Sequence, residues 1–323
     1  MIAFVARRLA QALPLLLAVI VVNFMIVHLA PGDPIQAFIG DFPAPPEYVE
    51  EIRHRLGLDR PLLEQLLTYI SSVLGGDLGY SFASRRPVLS LIAERAGNTV
   101  ILTVTAMMFA AVCGILLGVG AARRPRSWRD SLITSFSLLG FSVPVFWLSQ
   151  LLILLFAVNL DLLPAQGMIS VRESYAGLDH ATDVARHLVL PAFALSLRYL
   201  VSTARLTRAS VMEALTSDYI LTARAKGASG TRVLYAHALP NALLPVATSI
   251  GYNFGYVLAG SALVETVFAW PGLGRLLFDA MKARDTPVIL GIFLASASIA
   301  VLANLATDLV YGALDPRLRR KTR

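Results

Sequence analysis

Three lysines are the first residues to test for nucleotide chemistry, because a chain that cradles ATP phosphates carries GxxxxGK[ST]. Lys226 precedes Gly227, Lys282 precedes Ala283, and Lys321, though followed by Thr322, has Arg320 rather than glycine before it. The motif is missing, so any ATP and Mg that drive this chain belong to another one. The histidines, His28, His54, His180, His187 and His237, form no HExxH and no tight pair with an acid, and no metal ligand set is assigned. A single cysteine, Cys113, excludes an intrachain disulfide and any cysteine-built zinc or iron–sulfur site. Acid pairs such as Glu50-Glu51 and Asp179-Asp183 fall in polar segments without an apolar pocket to tune them, and no GxSxG supports a serine nucleophile. No residue is assigned a catalytic role, and no cofactor is expected on this chain.

The elements that surround these residues explain why. Of 323 residues, 56% are apolar and 15% charged, against about 45–50% and about 25% in a soluble domain. A bilayer core about 30 Å thick takes about 20 helical residues, and uncharged runs of that length recur. They cover Leu9–Ala30, Asn98–Ala121 and Ser131–Leu160, the last with Pro144 placed to kink or break it. Weaker or flanked runs cover Leu188 to Thr203 with Pro191 and Arg198, Leu239–Val264, and Pro287 to Tyr311 with Asp308. The first run is too long for the apolar part of a signal peptide, and Ala30-Pro31-Gly32-Asp33-Pro34 is a poor cleavage site, so it reads as a retained anchor. The expectation is an all-α, polytopic membrane protein with six spans.

Charge then orients it. The formal net charge is +7, which in a soluble protein would suggest a polyanionic partner. With six spans, the side holding both termini carries +12, the opposite loops −5, and Arg198 and Asp308 cancel within the spans. Lys and Arg gather in cytoplasmic loops, so both termini are expected in the cytoplasm, and the charge calls for no nucleic acid. The chain divides into residues 1–30 (tail and first span), 31–97 (an extracytoplasmic insertion), 98–311 (five spans with a cytoplasmic segment at 212–240) and 312–323 (a basic tail). Within the insertion, Glu47–Leu56 and Leu62–Leu74 read as short helices, each behind proline, forming either a small cap or a helix on the membrane surface.

Two features inside or next to the spans invite function. Arg198 is costly at bilayer depth and must face protein, water or an interface; either it lines the translocation path and meets a carboxylate, or it pairs with an acid. Outside the fifth span, Glu265, Phe268, Trp270, Pro271, Gly272 and Arg275 make an aromatic-Pro-Gly corner. It forms either a gate or docking point at the outer mouth or an interfacial aromatic belt. Small residues in the second span, Cys113-Gly114, Gly118 and Gly120, suit close helix packing.

The most informative stretch is SDYILTARAKGASGTRVLYAHALPNALLP, Ser217 to Pro245. Too polar to span, it carries Tyr219, Ile220, Ala223, Ala225, Val233 and Leu234 at spacings that suit two short helices broken near Gly227 and Gly230, with Pro240 starting the next helix. Such an amphipathic helix-turn-helix fits a partner's groove.

This stretch resembles the cytoplasmic signature of the permease subunits of ATP-binding cassette (ABC) importers: EAA, three residues, Gly, nine residues, Ile, any residue, Leu-Pro. Gly227 occupies the glycine and Leu239-Pro240 the Leu-Pro, while Leu221, Thr222 and His237 replace the glutamate, first alanine and isoleucine and Ala223 is kept. TARAKG and HALPNALLP look more specifically like the peptide and nickel branch. So do Arg7-Arg8, Pro31-Gly32-Asp33-Pro34, Leu56-Gly57-Leu58-Asp59, Gly76-Asp77-Leu78-Gly79, Arg205-Leu206-Thr207-Arg208, the Glu265–Arg275 run and Asp315-Pro316-Arg317. The resemblance implies a bacterial inner-membrane subunit working by alternating access beside a second, homologous permease. It further implies two cytoplasmic ATPases and an extracytoplasmic solute-binding protein. Tyr219, Ala223, Arg224, Lys226, Gly227, Arg232, Leu239 and Pro240 would then dock on an ATPase. Relatives of this kind carry dipeptides, oligopeptides, glutathione or nickel complexes, and peptide is the expected cargo. A secondary transporter would show internal repeats and buried acids, and a membrane enzyme clustered catalytic side chains; neither pattern is in the sequence.

Overall fold

The structure, a computed structural model, describes residues 2–29, 45, 47, 50–51, 54, 59–81, 83–170 and 177–314. In chain order its helices are α1 (Ile2–Leu29), α2 (Leu62–Leu74), α3 (Val88–Arg123), α4 (Trp128–Ser142), α5 (Val145–Leu152, continued by a π-helical stretch Ile153–Asn159), α6 (Leu178–Leu215), α7 (Asp218–Ala225), α8 (Gly230–Arg232, continued by a π-helical stretch Val233–Ala238), α9 (Leu239–Val267), α10 (Leu273–Lys282) and α11 (Thr286–Leu314). A two-residue antiparallel hairpin, β1 (Tyr80–Ser81) and β2 (Arg86–Pro87), precedes α3. Among the described residues the chain is therefore all-α apart from this clip.

Among the described residues four helices are long and apolar enough to cross a membrane: Val88–Arg123, Leu178–Leu215, Gly230–Gly255 and Thr286–Thr307. They coincide with the expected second, fourth, fifth and sixth spans. At the first and third, the apolar helices Ala10–Ile26 and Val145–Asn159 are shorter. The third run is two helices rather than one, because Pro144 takes an extended conformation at the head of α5, as a residue without an N–H does at a helix start.

The helix that carries the expected fourth span, Leu188 to Thr203, extends beyond it at both ends. The helix there runs Leu178–Leu215, 38 residues or roughly 57 Å, well beyond a bilayer core. Hydropathy locates only the stretch that meets lipid, whereas the helix continues into polar surroundings on Asp179, Arg186, Arg205 and Glu213, all good enough helix formers there. α2 begins behind Pro61 and ends at Leu74 as the sequence indicates. Most of Glu47–Leu56 and most of the 312–323 tail fall outside the described residues.

Packing centres on α3 against α6. A Cβ at Gly114 would lie 2.7 Å from Thr203 Cβ, and one at Gly118 would lie 2.5 Å from both the Ala204 carbonyl oxygen and Thr207 Cβ. The two helices touch backbone to side chain, the close approach that small residues allow between spans. Gly120 faces open space.

Candidate functional site

At the end of the bundle where α3 stops and α4 starts, α7 and α8 fold into the helix-turn-helix read from the sequence. Gly227 sits at φ +79°, a left-handed conformation that costs a residue with a Cβ about 1–2 kcal/mol. It closes α7: the Gly227 N–H donates to the Arg224 carbonyl at 2.9 Å and the Ala228 N–H to the Ala223 carbonyl at 3.1 Å. That pair of bonds is a Schellman cap, which satisfies carbonyls otherwise orphaned at the helix end. Ser229 then caps α8, its Oγ accepting from the Arg232 N–H.

Pro240 stands in the first turn of the α-helix α9, as the sequence indicates, but helical backbone already precedes it. The helix begins at Gly230 and runs through a π-helical stretch, Val233–Ala238, straight into α9. Proline lacks the N–H that would bond one turn back and its ring crowds that carbonyl; the wider π turn just ahead of it gives the chain room to stay helical.

The segment has two faces. Ile220, Val233, Leu234 and Ala238 are buried in one cluster with Val119 and Ala122 of α3, Val211 and Ala214 of α6, and Ala242 of α9; Ala223 is buried as well. Facing away are Tyr219, Leu221 and Tyr235, which are 40%, 60% and 47% exposed, together with exposed Arg224, Lys226 and Arg232. Large apolar rings between cations, on a base locked to two spans, make a surface suited to another protein. Of the proposed docking residues, Ala223 is buried and Leu239 half-buried; they seat the segment and do not offer contacts.

The opposite end of α9 holds the aromatic-Pro-Gly corner, and its residues point inward. Glu265, Phe268 and Trp270 are buried. The Glu265 carboxylate accepts from Thr99 Oγ1 at 2.9 Å, Ser261 Oγ at 3.1 Å, and the backbone N–H groups of Gly274 at 2.7 Å and Arg275 at 3.2 Å. The last two are free donors of the first turn of α10, where an anion is favoured by the helix dipole. Trp270 Nε1 donates to the Asn98 carbonyl, and Asn98 Nδ2 donates to the Pro271 carbonyl, both at 2.9 Å. Gly272 presses on the Glu265 carboxylate so closely that a Cβ has no room, and Arg275 Nη1 donates to the Ala269 carbonyl at 2.6 Å. The corner is a buried brace joining α3, α9 and α10. Its two rings give neither a docking surface nor an interfacial belt in this conformation.

Arg198 lies exposed on α6 and is not among the residues lining an apolar groove elsewhere in the bundle. That groove, about 710 Å³ between α3, α9 and α11, is lined by Thr103, Met108, Gly251, Phe254, Ala303 and Thr307 among others. Its two threonine hydroxyls donate to carbonyls of their own helices, Thr103 to Thr99 and Thr307 to Ala303, so the wall is apolar in effect. Among the described residues no group of three or more His, Cys, Asp or Glu side chains is arranged to hold a metal.

One pair went unnoticed in the sequence. Asp130, at the start of α4, is 5% exposed and accepts from Arg208 of α6 through Nε at 2.6 Å and Nη2 at 2.8 Å. The signal was a lone acid following Arg123, Arg124, Arg126 and Arg129, opposite Arg205-Leu206-Thr207-Arg208.

A bundle of long apolar helices with a polar, two-faced helix-turn-helix at one end defines the membrane subunit of a transporter. Solved structures agree on the fold: the inward-facing MetNI methionine ABC transporter aligns with 70% of this chain and 96% of its own at a TM-score of 0.54 and 17% identity. The chain belongs to the family described as binding-protein-dependent transport system inner membrane component, whose model matches residues 114–320, with the family's N-terminal model matching residues 1–103. It is an ABC importer permease. Similar proteins include the dipeptide transport system permease protein DppB of Escherichia coli (strain K12), 40% identical over 338 residues, covering 99% of this chain and 100% of the relative. The di/tripeptide transport system permease protein DppB of Pseudomonas aeruginosa (strain UCBPP-PA14) is 38% identical at the same coverage. The glutathione transport system permease protein GsiC of Escherichia coli (strain K12) is 41% identical over 321 residues, again with 99% and 100% covered.

Proposed function

We propose that this permease imports short peptides across the bacterial inner membrane as half of a translocation path. The other half is a second, homologous permease; two cytoplasmic ATPases bind ATP and Mg, and an extracytoplasmic binding protein delivers the peptide. The observation that carries the reading is end-to-end identity of 38–40% to permeases of dipeptide and di/tripeptide systems. The positive-inside rule supports placing both termini, and the α7–α8 segment, in the cytoplasm.

In this reading Tyr219, Leu221, Tyr235, Arg224, Lys226 and Arg232 meet the ATPase. Closure of the ATPases pulls the segment, and the segment carries α3 and α6 with it, because Ile220, Val233 and Leu234 are packed into Val119, Ala122, Val211 and Ala214. Gly114 and Gly118 hold α3 against α6, so the two spans move together and reorient the path between outside-open and inside-open states. The buried Glu265 brace keeps the outer ends of α3, α9 and α10 in register during that movement. Arg198, exposed on α6, is a cation within the fourth span that would line the path and meet a peptide carboxylate.

Glutathione, itself a modified tripeptide, is the second reading, favoured by the 41% identity to GsiC. The test is uptake of labelled dipeptide into vesicles holding the complete importer. Uptake that needs hydrolysable ATP and is displaced by unlabelled di- and tripeptides supports the proposal. Displacement by glutathione alone selects the second reading, and uptake of nickel without peptide competition, or uptake independent of ATP, overturns both.

A further inference from the structure

The coupling segment is seated on α3, α6 and α9, and the described residues of that cluster do not reach α4, the next helix of the bundle. The Asp130–Arg208 pair does. Arg208 lies one helical turn before Val211, a wall of the pocket that holds Ile220, Val233 and Leu234, and its guanidinium grips Asp130 in the first turn of α4 through two bonds, 2.6 and 2.8 Å. The grip is complete on the acid's side. Asp130 Oδ2 also accepts from the Arg126 N–H at 2.9 Å, and Arg126 is itself held at φ +61°, so the carboxylate folds the α3–α4 connection back on itself. Ser127 caps the same turn, its Oγ accepting from the Asp130 N–H. At its far end α4 stops at Ser142, and the extended residues Val143 and Pro144 separate it from α5. α4 is thus gripped by Arg208 at its first turn, rests on α6 again where Gly140 faces Leu197 and Val201, and is jointed to α5 at its far end.

We infer that Asp130 and Arg208 are positioning residues for transport: the pair makes α4 follow α6 when the coupling segment moves, with Val143-Pro144 as the joint that lets α4 swing relative to α5. The inference rests on the reading of α7–α8 as the coupling segment. Neither side chain touches cargo or nucleotide. A nearly buried carboxylate fully occupied by a bidentate arginine is a geometry with one register, and a lysine cannot reproduce the fork. Breaking the pair therefore frees the first turn of α4 from α6, while the packing of Gly140 against Leu197 and Val201 keeps both helices in place.

The test uses the whole importer in vesicles, with uptake and ATP hydrolysis measured on the same preparation. Arg208→Lys keeps the charge and loses the fork, and Asp130→Asn keeps the shape and one acceptor oxygen; both are milder than truncation, which would strand a buried charge. The expected result is a fall of about fivefold or more in cargo moved per ATP hydrolysed, the scale of typical coupling between distant sites, with ATPase still co-purifying. A site-directed spin-label distance between α4 and α6 should broaden in both variants. The exchange Asp130→Arg with Arg208→Asp should recover part of the lost ratio. An unchanged ratio in Arg208→Lys and Asp130→Asn, with the α4–α6 distance unbroadened, overturns the inference. If Gly227→Pro also leaves the ratio unchanged, the coupling-segment reading fails with it; if Gly227→Pro uncouples and the pair variants do not, only the role of the pair fails.

Discussion

Gly227 offers a graded perturbation of coupling. Its φ of +79° and the two cap bonds to Arg224 and Ala223 fix the turn between α7 and α8, yet a Cβ built there meets nothing within 4 Å. Gly227→Ala therefore tests backbone strain alone, with no clash to confuse it. The cost of a left-handed alanine is about 1–2 kcal/mol, which shifts a local two-state equilibrium by about 5- to 30-fold toward the uncapped turn. Gly227→Asn should cost less, since asparagine tolerates this region. Gly227→Pro is the extreme: it locks φ near −65° and deletes the N–H that bonds to Arg224. Substrate-stimulated ATPase activity and uptake, measured together in vesicles, should fall in the order Gly, Asn, Ala, Pro. Membrane insertion and permease pairing should be unchanged, because the turn is exposed and lies outside the spans. Equal coupling in all four proteins, or normal coupled transport by Gly227→Pro, would refute the reasoning.

Three further outcomes follow from the packing. Glu265→Ala strands two backbone donors at the start of α10 as well as Thr99 and Ser261; at about 1–3 kcal/mol for each buried group left unpaired, thermal unfolding in detergent should drop sharply, and Glu265→Gln, which keeps an acceptor, should lose less. Gly118→Leu has no space between α3 and α6 and should abolish accumulation of folded protein, visible as loss of a monodisperse chromatography peak, while Gly120→Leu, facing open space, should not. Ser81→Ala removes the 2.5 Å bond from Ser81 Oγ to the buried Asp285 Oδ2 and leaves that carboxylate with neither oxygen partnered by a side chain; a loss of about 1.5–3 kcal/mol, the range for hydrogen bonds to charged groups, should appear in the same unfolding assay.

Much of the fold was legible because membrane spans write themselves in long apolar runs and because proline and glycine punctuate them. Pro61 and Pro144 marked real helix starts, and Gly227 marked a real left-handed turn. What the sequence hid had a common cause: it depended on which way a side chain points or on a partner far along the chain. Phe268 and Trp270 have the composition of a mouth or a belt, but the pattern cannot say that the indole turns in to reach Asn98, 172 residues earlier. Asp130 and Arg208 are 78 residues apart, beyond any local periodicity. The helix boundaries were missed at α6 because charge at its ends was read as loop, whereas a helix outside the bilayer carries charge freely. Pro240 marks the first turn of α9, but the π-helical stretch that joins it to α8 leaves no mark in hydropathy.

The central claim is that the exposed face of α7–α8 docks on the ATPase. A photocrosslinking amino acid placed at Leu221 or Tyr235 in the intact importer tests it directly. The account predicts a covalent adduct with the ATPase from both positions, and none with the ATPase from Leu178, which is 86% exposed at the opposite end of α6. An ATPase adduct from Leu178, with none from Leu221 or Tyr235, would contradict it.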